Sequence, residues 1–208
     1  MATLTEVEAS IRASTDQGDT GRTPQSVIYQ FTNDDYQDLC RRIAAFAPQQ
    51  YSKVSAELTV ATGATSIDVS SLTDLLQISE VQRKSSNKWI SLRPAEYNAE
   101  LNSFHSTWEQ EGFPGAGCKV NVYPAERAPG TYRIKYVKLV PTLTAGSDVL
   151  QLPPGGECVL IHTVSGRIRV REEEDPSAHF ALAEKAFDGL KQNLTPKYGV
   201  IGSRGQYR

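Results

Sequence analysis

Asp175-Pro-Ser-Ala-His-Phe180-Ala-Leu-Ala-Glu-Lys-Ala-Phe187-Asp-Gly-Leu190-Lys-Gln-Asn-Leu194 carries the strongest periodicity in the chain. Phe180, Ala183, Phe187, Leu190 and Leu194 recur at alternating spacings of three and four, the signature of one apolar face of an α-helix. Asp175 is placed to cap this helix, and Pro176 suits its first position. The same Asp-Pro pair ends whatever precedes it, because Pro disfavours helix at the residue before it. A second helical segment therefore runs from Pro153-Pro154 to about Glu174, with Val159, His162, Ser165 and Ile168 on one face. The spacing predicts that Phe180, Phe187 and Leu190 are core, packed against Val159–Ile168 or against a helix carrying Tyr36 to Phe46. Phe187→Ala would then cost about 3–5 kcal/mol.

The other end is also helical. Thr3-Leu-Thr-Glu6 has capping-box spacing, and Leu4, Val7 and Ile11 follow at helical intervals. Residues 14–24 read as a linker. A further helix is predicted from Thr32, with Asn33, Asp34 and Asp35 in its first turn, an apolar stripe of Tyr36, Leu39, Ile43 and Phe46, and a stop at Pro48. The middle third changes period. Val54, Ala56, Leu58 and Val60 alternate with polar residues as one half-exposed strand, Ala61-Thr-Gly63-Ala turns, and Ile67 and Val69 continue. Residues 75–81 and 89–92 read as strands joined by the polar run 82–88. Pro94 could open a helix with Leu101, Phe104 and Trp108 on its buried side. The stretch 111–117 is a loop, and 119–123 with 131–140 read as a strand pair across the turn Ala128-Pro-Gly130. Blocks in this order imply an α+β fold. The expected layout is a helical bundle formed by the N- and C-terminal helices, with a β-rich insertion at about 52–148. The whole would be a single domain over 1–194, followed by an extended C-terminal tail over 195–208, where Pro196 and three Gly interrupt any helix.

Composition points away from chemistry. Lys and Arg number 22 against 24 Asp and Glu, a net charge of −2, which supplies no field to draw the chain to nucleic acid or membrane. The first residues do not form a signal peptide and no run would span a bilayer, so a protein made and kept in soluble form is expected. Cys40, Cys118 and Cys158 are widely spaced and read as small buried hydrophobes rather than metal ligands. His105, His162 and His179 lack a partner at metal-ligand spacing, and no cofactor motif is present. His105 and His179 are expected at helix surfaces. His162 lies four residues after Cys158, a spacing that fits packing better than a zinc site. Gly112-Phe-Pro-Gly-Ala-Gly117 lacks the Lys-Ser/Thr ending of a phosphate loop. Glu172-Glu-Glu-Asp175 favours the next helix start and can pair with Arg167, Arg169 and Arg171, each pair contributing at most about 1 kcal/mol.

The segments Tyr132-Arg-Ile-Lys-Tyr136-Val-Lys-Leu-Val-Pro141, Leu150-Gln-Leu-Pro153 and Arg171-Glu-Glu-Glu-Asp175-Pro176-Ser together resemble the head-to-tail connector proteins of tailed bacteriophages. These are also called adaptor or head-completion proteins. Trp89, Gly112-Phe-Pro114 and Val122-Tyr-Pro124 fit the same layout. The resemblance implies a non-enzymatic virion protein made in the host cytoplasm. It would form a dodecameric ring under the portal protein, receive a tail or nozzle protein, and let genomic DNA pass without specific binding. Two other readings stay open at this point. One is a tail-side structural protein, such as a terminator or decoration module. The other is a cell-wall-degrading enzyme used at DNA entry, for which Glu96, Glu100, Glu109 and Glu111 near Tyr97, Phe104 and Trp108 are the candidate carboxylates. Within the tail, Tyr198, Val200, Ile201 and Tyr207 offer apolar contact, and Arg204 and Arg208 offer charge. These six residues are the expected partner-binding set, by strand addition to a partner's sheet edge. A solvated end without a role accounts for the tail's composition equally well before the resemblance is counted.

Overall fold

The computed structural model describes residues 1–17, 22–95, 106–114 and 117–195. It contains four α-helices and a curled mixed sheet, an α+β architecture. The chain divides into two compact units, one built from Met1–Ala47 and the segment from Pro141 onward, the other from Pro48–Val140.

In the first unit, α1 (Leu4–Ser14) starts with the expected reciprocal cap. The Glu6 amide donates to the Thr3 hydroxyl at 3.3 Å, and the Thr3 amide donates to the Glu6 carboxylate at 2.7 Å. Helix α2 runs Gln25–Phe46, so it begins a full two turns before Thr32. Thr32 is fully buried in mid-helix, where its hydroxyl donates to the Ile28 carbonyl at 2.7 Å. That bond to the preceding turn satisfies the hydroxyl and lets Thr occupy a core position. Asn33, Asp34 and Asp35 therefore do not serve a helix start. Asn33 instead clamps Leu143 through both backbone groups at 2.7 Å, and Asp35 pairs with Arg167 at 2.8 Å.

Helix α3 (Gly156–Arg171) follows Gly155, whose φ of +92° suits a residue without Cβ. It contacts α1, α2 and α4 (Ser177–Leu194). Contact on three sides explains its lack of a single apolar stripe: Val159, Leu160, Val164, Ser165 and Ile168 are all buried. At Gly166 a Cβ would lie 2.5 Å from the Phe180 ring, so the missing side chain sets the α3–α4 approach. Pro176, not Asp175, occupies the N-cap of α4, one position before the first helical residue Ser177; Asp175 sits just outside it and accepts from the Ser177 amide at 2.9 Å.

The expected core of α4 holds only in part. Leu190 is 2% exposed, but Phe180 is 37% exposed and Phe187 is half-buried. Phe187 meets Phe46 edge-on with centroids 5.8 Å apart, under the Arg42 guanidinium at 3.9 Å. A ring shared with solvent loses less on truncation. Phe187→Ala is expected to cost about 1–2 kcal/mol, measured by urea unfolding, rather than the full core penalty.

The second unit is the sheet. Its strands are β1 (Ser52–Val54), β2 (Leu58–Val60), β3 (Ser66–Asp68), β4 (Leu75–Ser85), β5 (Lys88–Pro94), β6 (Thr107–Glu111), β7 (Lys119–Tyr123) and β8 (Gly130–Lys138). The order is β1-β8-β4-β5-β6-β7-β3, with β2 also on β8. All pairs are antiparallel except β5–β6. The curl wraps one core that includes Val60, Ile67, Val81, Val120, Tyr132 and Ile134.

Several expectations change here. The strand expected over Val54–Val60 is broken at Ser55, which exchanges two bonds with Ile134: amide to carbonyl at 2.8 Å, and hydroxyl from the Ile134 amide at 2.9 Å. Strand β4 continues through Gln82–Ser85, so only Ser86-Asn87 turns where a longer loop was expected. Leu75, Ile78 and Val81 all face inward despite a spacing of three, because register shifts after Leu75 and Ile78 reset the alternation. Pro94 ends β5 and Trp108 lies on strand β6 rather than on a helix; Leu101 and Phe104 lie outside the described residues. Finally, β7 and β8 are strands but not partners. The chain leaves β7 through Pro124 and a 3-10 turn over Ala125–Arg127, which delivers β8 to β4, β1 and β2 instead.

Candidate functional site

The six residues expected to bind a partner, Tyr198, Val200, Ile201, Arg204, Tyr207 and Arg208, lie outside the described residues. So do Glu96 and Glu100 of the candidate carboxylates, and His105. Glu109 and Glu111 both sit exposed on β6. Glu109 accepts from the Tyr123 hydroxyl at 3.4 Å, and Glu111 from the Asn121 amide at 2.9 Å. Among the described residues no group of three or more His, Cys, Asp or Glu could hold a metal, and no helix is long and apolar enough to cross a membrane.

Cys40 and Cys118 are buried as expected, whereas Cys158 is exposed on the first turn of α3. His179 is half-buried rather than fully at the helix surface. Its ring and that of His162 face each other between α4 and α3 with centroids 6.1 Å apart, and the Nδ1 atom of each is buried without a partner among the described residues. His179 is held below its ordinary value of 6.5, first by burial, then by the nearby charges of Arg169 and His162. The fold therefore prefers the neutral ring. Its stabilising contribution is complete above about pH 6.5 and is lost as pH falls through the depressed value. The α3–α4 pair should melt at lower temperature at pH 5 than at pH 7.5, and His179→Gln should shrink that difference. An unchanged difference would assign the effect to other groups.

Glu172 and Glu174 are tied in place by neighbours. Arg169 pairs with Glu174 and with Asp16 at 3.5 Å, while Glu172 accepts from the Thr23 hydroxyl at 2.9 Å and from Gln17. These groups border a polar cleft of about 250 Å3. Glu172, Glu174 and Arg169 thus brace the ends of α1 and α3, whereas Arg167, expected to pair with the acidic run, instead pairs with Asp34 and Asp35 of α2.

What the geometry does offer is surface for other proteins. On the helical unit, Val170, Phe180 and Leu182 are 55%, 37% and 45% exposed. On the sheet unit, Trp89 of β5 lies under Arg133 at 4.5 Å and near Lys84 at 5.6 Å. Arg133 is itself held by Gln82, and Lys84 by Glu57 at 2.8 Å, so the indole is fixed among oriented cations. Beside it a cleft of about 440 Å3 is lined by Arg83, Arg93 and Arg127 among others. Sequence reading placed both strands but ended them short, treating the polar run 82–88 as their connection. The available signal was the run of cations without a single acid.

The family model described as SU10 adaptor protein matches residues 2–204. Comparison with curated proteins gives no match. The family match takes in both compact units, the helical one and the sheet, and agrees with a surface rich in contact groups. The chain belongs to the SU10 adaptor family, a family of phage head-to-tail adaptor proteins.

Proposed function

We propose that this phage structural adaptor joins the capsid portal to the tail by forming a ring of identical subunits beneath the portal, so that the DNA channel continues through it. The observation that carries this reading is the family match over nearly the whole chain. The exposed apolar residues on α3 and α4 support it, since an adaptor buries such side chains against neighbours. In this reading the helices of both chain ends form a bundle that makes subunit contacts, and the ring is twelvefold. The extended tail over 195–208 docks on the portal or a neighbouring subunit through Tyr198, Val200, Ile201, Arg204, Tyr207 and Arg208, and a tail or nozzle protein is received on the far side. DNA slides through without specific binding, which the net charge of −2 permits.

Negative-stain images of the protein alone and mixed with its portal test the reading. Rings stacked on portals are expected; a protein that stays monomeric and leaves portals bare would overturn it. Deleting residues 199–208 should leave thermal unfolding unchanged and weaken joining to portals. Full joining by the truncated chain would remove the docking role of the tail while leaving the ring intact.

A further inference from the structure

Helix α4 is the most lightly held helix of its unit. Its main helix contact is α3, whereas α3 also packs against α1 and α2. Along its length only Ala183 and Leu190 are buried, and Phe187 with Phe46 adds one edge-on ring contact to α2. An element with so little buried apolar surface opens at lower cost than the core beside it. At its seam with α3 the rings of His162 and His179 stand 6.1 Å apart, with 40° between their planes. The Nδ1 atom of each is closed off from solvent without a partner among the described residues. A neutral imidazole fits such a place, with its proton on Nε2 and a bare lone pair on Nδ1. An imidazolium does not, because both nitrogens are then donors and the buried Nδ1–H meets no acceptor.

The surrounding charges act in the same direction. Arg169 and His162 both disfavour a positive His179. The neighbouring carboxylates are already engaged. Asp16, just beyond α1, and Glu174 pair with Arg169. Asp34 and Asp35 of α2 pair with Arg167, and Glu184 of α4 pairs with Arg42. Glu172 accepts from Thr23 and Gln17, and Asp175 accepts from Ser177. We infer that His162 and His179 form an acid-operated latch: neutral, they hold α4 against α3, and protonated, they release α4 while α1, α2 and α3 keep their packing. Release begins below pH 6.5, the ordinary value of the ring, and completes as pH falls through the lower folded value. It is a local opening of one helix, distinct from a lower melting temperature of the whole chain.

Hydrogen exchange of the full-length protein tests the latch, read by mass spectrometry at pH 5 and pH 7.5 and divided by the intrinsic rate at each pH. Protection over Ser177–Leu194 should fall about tenfold at pH 5, while that over Gln25–Phe46 should change by less than about twofold. In the unaltered protein, the NMR signal of the His179 ring should move over the same pH interval as α4 opens. In the double variant His162→Gln with His179→Gln, α4 should be equally protected at both pH values. That comparison is made within the variant, so any fixed cost of the substitutions cancels. If the double variant does not fold, the His179 titration of the unaltered protein decides alone. The inference is overturned by equal protection of α4 at both pH values, by an equal loss in α2, or by an undiminished pH effect in the double variant. Opening that follows carboxylate titration near about pH 4 instead of His179 also overturns it. Neither result touches the ring reading, which portal imaging tests separately.

Discussion

Replacing Tyr132 by alanine lowers the stability of the sheet unit by about 3–5 kcal/mol, the largest loss expected from a single change there. Tyr132 is fully buried near the start of β8, the strand that binds β1, β2 and β4 at once. Its ring sits in the same core as Ile134, Val81 and Val60. Its hydroxyl donates to the Ala128 carbonyl at 2.6 Å, fastening the turn that leads into β8. Alanine removes the ring, leaves a cavity in a closed core, and strands the carbonyl. Tyr132→Phe keeps the ring and should cost only about 1 kcal/mol. Urea unfolding of the three proteins, followed by circular dichroism, separates the terms. Equal losses for Ala and Phe would mean that the hydroxyl, not the packing, holds the strand.

Tyr36→Ala is expected to do comparable damage in the helical unit, again about 3–5 kcal/mol. The residue is fully buried on α2, and its oxygen accepts the Gln151 amide at 3.0 Å, where the chain approaches α3. Tyr36→Phe leaves that amide without its partner and should cost about 1–3 kcal/mol. The hydroxyl also predicts an alkaline transition. Burial pushes it from its ordinary 10.0 up to about 12, with the neighbouring Cys40 adding to the shift and the Gln151 amide opposing it. Because the folded value is the higher one, the contribution is intact below pH 10 and is lost as pH rises towards 12. Tyr132 and Tyr136 are raised by burial too, so the loss is shared. Unfolding monitored between pH 9 and 12 should be displaced to higher pH in Tyr36→Phe relative to its own neutral-pH stability. An identical pH profile would exclude Tyr36 as a contributor.

Helices whose apolar residues keep period could be read directly. The repeat from Phe180 to Leu194 and the capping box at Thr3 both correspond to observed helices. Thr32 misled because threonine serves two physical situations, a cap before the first turn and a core position bonded back to the previous turn; only packing distinguishes them. Trp108 misled because a short apolar–polar run after a proline fits either period, and the pairing with β7 that decides it is nonlocal. Likewise the inward set of Leu75, Ile78 and Val81 follows no simple period, since two register shifts intervene. The partner-binding residues expected in the tail fall outside the described residues. The charged hairpin, by contrast, was legible in composition. Four cations without an acid between Gln82 and Pro94 are visible in the sequence, but their placement on the paired strands β4 and β5 required the sheet order.

The junction between β5 and β6 has a mechanical meaning. Eight strands are joined mostly by antiparallel ladders of three or more residue pairs, yet this one consists of Arg93 with Thr107 and Pro94 with Trp108. Pro94 brings no amide to it, and the Ala95 amide adds one bond to the Trp108 carbonyl at 2.7 Å. Under load the sheet would part along this line before any other, with β6, β7 and β3 coming away as one leaf and the ladders around β8 staying closed. A structural adaptor loaded across such a seam gives way there and reseals without unfolding its core.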